Sequence, residues 1–161
     1  MAKPRVYLET TIPSLLTAKP SRDVLIAGQQ QATLDWWELE RHCFEVVISA
    51  LVLAEISAGD PVAAAERLDA VRGCQVLAMD EEIERLTKAI LHTRLIPPKA
   101  YTDAAHIAAA ARHGIEYLLT WNCRHIANAA IVERVRQACR DAGYEPPMIC
   151  TPLELMGDLL R

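Results

Sequence analysis

The sequence predicts an α/β fold, a parallel sheet with helices on both faces. Three observations carry this. Short apolar runs of strand composition alternate with segments of helical spacing along the whole chain. The strand runs are near-continuous in apolar residues rather than alternating, which implies that both of their faces are covered. The 161 residues, 52% of them hydrophobic, suit one domain, 1–161, with a substantial core.

The elements follow in order. "RVYLE" (5–9) has the composition of a short buried strand, and "TTIPSLL" (10–16) a short helix with Pro13 near its first turn. Residues 21–42 carry apolar side chains at helical spacing despite Gly28. "FEVVIS" (44–49) is a second strand, and Ser49 is placed to cap the helix 50–59, which Gly59 ends. A capped helix over 60–73 leads to a third strand, "CQVLAM" (74–79). The helix 80–96 has acidic residues in its first turn, where the helix dipole favours them, and "PPK" breaks it. The alanine-rich helix 101–114 stops at Gly114. A fourth strand, "IEYLLTW" (115–121), a helix over 125–143, a fifth strand, "PMICT" (147–151), and a last helix over 152–161 complete the chain.

Composition excludes several functions. A net charge of −4 gives no broad attraction to nucleic acid and leaves only a local basic patch for that purpose. "MAKPRVYLETT" has no apolar leader region, and no apolar run approaches bilayer length. A cytoplasmic protein without membrane association is expected. The five cysteines are widely spaced, odd in number and without a C-x-x-C pair, as befits free thiols. Cys123 and His125 lie two apart, but no second close ligand pair completes a zinc site. No G-x-G-x-x-G or G-x-x-x-x-G-K follows the first strand, which argues against a nucleotide cofactor.

In open parallel sheets, chemistry gathers beyond the carboxyl ends of the strands. That rule selects Glu9 after the first strand and Asn122 after the fourth. Glu55, in the helix after the second strand, and Asp103, at the start of the helix before the fourth, join them as oxygen donors. Each has an ordinary reading taken alone. Glu9 could cap a helix, Glu55 could be an exposed helical position, Asp103 suits a first helical turn and Asn122 suits a turn. Together, carboxylates converging on one sheet edge repel one another, and a divalent cation resolves that conflict. Mg2+ or Mn2+ takes oxygen ligands and leaves positions for water and phosphate.

These blocks resemble the PIN-domain nucleases, in the VapC-like toxin ribonuclease branch, over nearly the whole chain. "VYLETTIPSLL" is similar to the family's opening block, a strand ending in an acid followed by Ser or Thr. "SALVLAEI" is similar to the block with the second acid. "YTDAAHIAAAARHGIEYLLTWNCRHI" is similar to the joined third and fourth blocks and is the most specific of the three. The resemblance implies a three-layer α/β/α sandwich with a central parallel five-stranded sheet. It also implies RNA cleavage with Mg2+ or Mn2+ held by Glu9, Glu55, Asp103 and Asn122, directly or through water. Thr10 would support metal or phosphate, and Thr120 would orient the cluster. Two positions depart from the family pattern. Glu9 stands where aspartate is usual, and neutral Asn122 where an acid is usual. An antitoxin protein and a second copy of the chain are the further partners implied. The alternative is a weakly catalytic or inactive PIN-like module that holds RNA or a protein.

The surrounding residues keep two readings each. His106, three residues after Asp103 on the same helical face, could support the site or make a structural hydrogen bond. His125 could meet phosphate or cap a helix. Trp121 could stack a base or pack on the core. Arg124 and Lys99 are the basic residues nearest the cluster, with Arg5, Lys19 and Arg22 in the N-terminal region.

Overall fold

The computed structural model describes residues 2–157. Its sheet has five parallel strands in the order β3-β2-β1-β4-β5. These are β1 (Arg5–Leu8), β2 (Glu45–Ser49), β3 (Gln75–Leu77), β4 (Tyr117–Leu119) and β5 (Met148–Cys150). All five expected strands are present, each trimmed at one or both ends. Central β1 explains the missing alternation, because Val6, Tyr7 and Leu8 have no exposed surface on either face.

Helices α1 (Thr11–Thr17), α2 (Val24–Leu39), α3 (Ala50–Ile56) and α4 (Pro61–Ala70) connect β1 to β2 and β2 to β3. Within that group α1 packs on α2 and α4, and α3 packs on α4. Helices α5 (Glu81–His92), α6 (Tyr101–Arg112) and α7 (Val132–Asp141) form the second group, with α5 against both α6 and α7. With crossovers of the usual right hand, the path from β1 out to β3 and the return from β3 to β4 and β5 put the two groups on opposite faces of the sheet.

Local chemistry accounts for the boundaries. Ser49 Oγ accepts from Val52 N, the expected cap of α3, and Asp23, Asp60 and Asp80 cap α2, α4 and α5 in the same way. In α5 the residues Ile83, Leu86, Thr87 and Ile90 are buried, one stripe at helical spacing. In α6 every residue from Ala104 to Ala111 is buried, which small side chains permit by letting neighbours approach from all sides. At the end of α6, Ile115 N reaches Ala110 O and Gly114 N reaches Ala111 O, with Gly114 at φ +63°. This reversal needs the left-handed backbone that glycine adopts without strain.

One expected helix begins late. Residues 125–131 form turns, and α7 starts only at Val132. Asn122 Oδ1 accepts from His125 N, and Asn128 Oδ1 accepts from Ala130 N, both at 3.0 Å. These side chains offer the backbone local bonds that compete with helical ones. The expected last helix is not formed over Pro152–Gly157, and residues 158–161 lie outside the described part.

Candidate functional site

The strand order reverses at β1, between the outward path to β2 and β3 and the return to β4 and β5. The carboxyl ends of β1 and β4 therefore flank the switch point where open α/β sheets hold their ligands. The ladder continues one step past both strands. Glu9 N donates to Leu119 O, and Thr120 N donates to Cys150 O, each at 3.0 Å. Backbone bonds thus set Glu9 and Thr120 side by side at this edge.

Glu9 is 4% exposed, and Thr120 is fully buried. Glu9 Oε2 accepts from Thr11 N at 2.8 Å, Thr11 Oγ1 at 2.6 Å and Thr120 Oγ1 at 3.1 Å. Burial pushes the Glu9 carboxyl above its ordinary pKa, and neither nearby His106 nor these three donors fully offsets it. Thr11 also accepts from Trp121 N at 2.9 Å, and Thr120 Oγ1 accepts from Asn122 N at 2.9 Å. The "LLTWN" strand end is thereby tied to the first block. Sequence reading had passed over Thr11.

Glu55 projects from α3 and is half-buried. Its Oε1 accepts from Thr10 Oγ1 at 2.9 Å and pairs with His106 Nε2 at 2.5 Å. Burial alone would raise the Glu55 carboxyl, but His106 and Thr10 together outweigh it and hold it below the usual range. His106, on α6, is 1% exposed, and its Nδ1 meets the Tyr7 hydroxyl at 2.7 Å. Tyr7 in turn meets Ser49 Oγ at 2.7 Å. Sequence reading missed Tyr7 and took Ser49 only as a cap. The available signal was a tyrosine within a fully apolar strand, since a buried hydroxyl requires a partner.

Asp103 and His125 form the third part. Asp103 Oδ2 meets His125 Nδ1 at 2.8 Å, and His125 N donates to Asn122 Oδ1. His125 thus links Asp103 to Asn122 instead of opening a helix. Arg124 is exposed beside them. Trp121 is half-buried and packs on the core, with Nε1 donating to Thr33 Oγ1 at 2.7 Å. Arg5 is occupied by His113 O and Gln75 Oε1 at the opposite, amino edge of the sheet.

All of these side-chain bonds to the carboxylates fall on one oxygen of each: Oε2 of Glu9, Oε1 of Glu55 and Oδ2 of Asp103. Among the described residues, no protein hydrogen bond falls on the second oxygen of any of the three. Among the described residues, no three His, Cys, Asp or Glu side chains converge as a ready-made metal cage. A small hard cation does not need one. Mg2+ commonly uses one or two carboxylates, with waters and substrate phosphates in its other positions. The oxygen donors suit such an ion.

No family model matches the chain, and no curated protein matches it in sequence. Among solved structures, it is similar to a chain in the crystal structure of VapBC2 from Rickettsia felis bound to a DNA fragment from their promoter. The likeness has a TM-score of 0.59 at 13% identity and covers 91% of this chain and 98% of that one. The fold is PIN-like. Among the described residues, no helix is long and apolar enough to cross a membrane.

Proposed function

We propose that this protein is a metal-dependent endoribonuclease that hydrolyses RNA phosphodiester bonds. The observation that carries this reading is the set of three carboxylates around the switch point, each held through one oxygen with the other left for a ligand. Glu9 and Asp103 would hold Mg2+ or Mn2+, with Glu55 acting directly or through water. When bound, such an ion lowers the pKa of a coordinated water and stabilises charge on the phosphodiester. Thr11 and Thr120 orient Glu9, Thr10 and His106 orient Glu55, and His125 orients Asp103. Arg124, which is exposed, would meet an RNA phosphate. Following the sequence resemblance, the chain would be the toxin of a toxin–antitoxin pair, opposed by an antitoxin protein and acting as a homodimer in the cytoplasm.

A second reading rests on Asn122. Its Oδ1 already accepts from His125 N, and the residue brings no charge. A module that binds RNA or a protein, with weak or no cleavage, would fit that corner. Cleavage of total RNA with Mg2+, Mn2+ or chelator, beside Asp103→Ala, tests both readings. Metal-stimulated cleavage lost in Asp103→Ala is expected of the nuclease. Metal-dependent cleavage that survives both Asp103→Ala and Glu9→Ala removes this site from the reaction. No cleavage under any metal leaves the binding module.

A further inference from the structure

Tyr7 has no exposed surface, yet its hydroxyl touches two polar atoms, Ser49 Oγ and His106 Nδ1, each at 2.7 Å. A phenol has one proton, so it donates to one neighbour and accepts from the other. Ser49 Oγ accepts from Val52 N at 3.2 Å as the cap of α3, which leaves its own hydroxyl proton to give. Tyr7 is the acceptor within reach.

The remaining protons then have one arrangement. Tyr7 donates to His106 Nδ1, and the ring carries its proton on Nε2, facing Glu55 Oε1. The opposite tautomer would set a bare nitrogen lone pair against a carboxylate oxygen. It would also leave either the Ser49 or the Tyr7 hydroxyl proton without an acceptor among these contacts, a costly defect in a buried network. We infer that Tyr7 and Ser49 are positioning residues, which lock His106 in its Nε2–H tautomer and so orient Glu55 with Oε2 free. The chain begins and ends on α3, because Ser49 caps the helix that carries Glu55. Partners that set a histidine's tautomer in this way commonly govern how the group beyond it is presented. Only the consequence for cleavage rests on the proposed function; the tautomer does not.

The test is a long-range proton–nitrogen NMR correlation of the His106 ring, on metal-free protein at neutral pH and assigned with His106→Gln. The expected result is a bare Nδ1 and a protonated Nε2, with a mixed population in Tyr7→Phe. An Nδ1–H tautomer or an imidazolium in the unsubstituted protein overturns the inference, as does an unchanged ring signal in Tyr7→Phe. Should Tyr7→Phe fail to fold, Ser49→Ala serves as the second variant. It leaves Tyr7 without its donor and is expected to broaden or split the same ring signals, and unchanged signals count against the inference. In RNA cleavage with Mn2+, Tyr7→Phe is expected to lower kcat by about 10–100-fold with KM for RNA within about twofold. A shift in KM alone overturns the positioning role. Absence of cleavage in the unsubstituted protein with the tautomer as expected sinks the nuclease reading and leaves the buried chain intact.

Discussion

Replacing Glu9 by Gln separates the stability of the site from its function. Glu9 is 4% exposed, and burial raises its carboxyl pKa above the ordinary 4.5 despite nearby His106 and the donors from Thr11 and Thr120. A raised folded-state pKa means that the fold prefers the protonated form. The stability this contributes is full below the ordinary value and is lost as pH rises through the folded-state value. Above the ordinary value the acidity of Glu9 therefore opposes folding. Gln removes the charge and keeps an acceptor oxygen for Thr11 and Thr120. Each tenfold of preference for the uncharged form corresponds to about 1.4 kcal/mol. For a chain of 161 residues that moves the thermal midpoint by roughly 3–6 °C. Thermal unfolding of Glu9→Gln in chelator at pH 7.5 is expected to give a higher Tm than the unsubstituted protein. The gap should shrink as pH falls through the folded-state value and close below the ordinary 4.5. Mn2+ should then raise the Tm of the unsubstituted protein and leave the variant unchanged, and RNA cleavage by the variant should disappear. A lower Tm for Glu9→Gln in chelator would refute the reasoning, because the three donors would then outweigh the burial of the charge. Glu55 does not confuse the measurement. Its lowered pKa gives a contribution present above the ordinary value and lost only as pH falls through the folded-state value.

Three further outcomes are expected. Asn122→Asp keeps the acceptor for His125 N and adds a charge at the fourth corner, so cleavage should reach half its maximum at a lower Mn2+ concentration; no gain in a titration of rate against metal would favour the binding module. Thr11→Val removes the 2.6 Å donor to Glu9 and the acceptor for Trp121 N, leaving a half-buried amide unpaired. Urea unfolding should report a loss of about 1–3 kcal/mol, and an unchanged midpoint would mean that the strand end is not tied to the first block through this hydroxyl. Ala108→Leu forces a larger side chain into a position with no exposed surface on a helix enclosed on all sides; a loss of about 1–3 kcal/mol is expected by the same assay, and full stability would contradict the packing of α6.

The strands and most helices were legible in the chain because their causes are local. The apolar run Val6 to Leu8, the cap at Ser49 and the stop at Gly114 act within a few residues of themselves. The start of α7 was not legible, because the bonds that Asn122 and Asn128 make to nearby backbone compete with a helical pattern that looks continuous in sequence. Position beyond the strands and the resemblance brought Glu9, Glu55, Asp103 and Asn122 together as candidates, but neither could say which donor holds which oxygen.

The order of residues alone determined the α/β class, the sequence of the elements, and the placing of Glu9 and "TWNCRHI" just beyond strands. Those properties follow from side-chain periodicity and chain connectivity. Only the tertiary structure decided that Thr11 and Thr120 hold Glu9, that His125 joins Asp103 to Asn122, and that Tyr7 and Ser49 stand behind His106 and Glu55. These contacts join residues up to 111 positions apart, and their geometry is set by the parallel register of β1 with β4 and by how α3 and α6 pack on that sheet. A hydrogen bond depends on tenths of an ångström, which sheet register and helix packing settle and residue order does not.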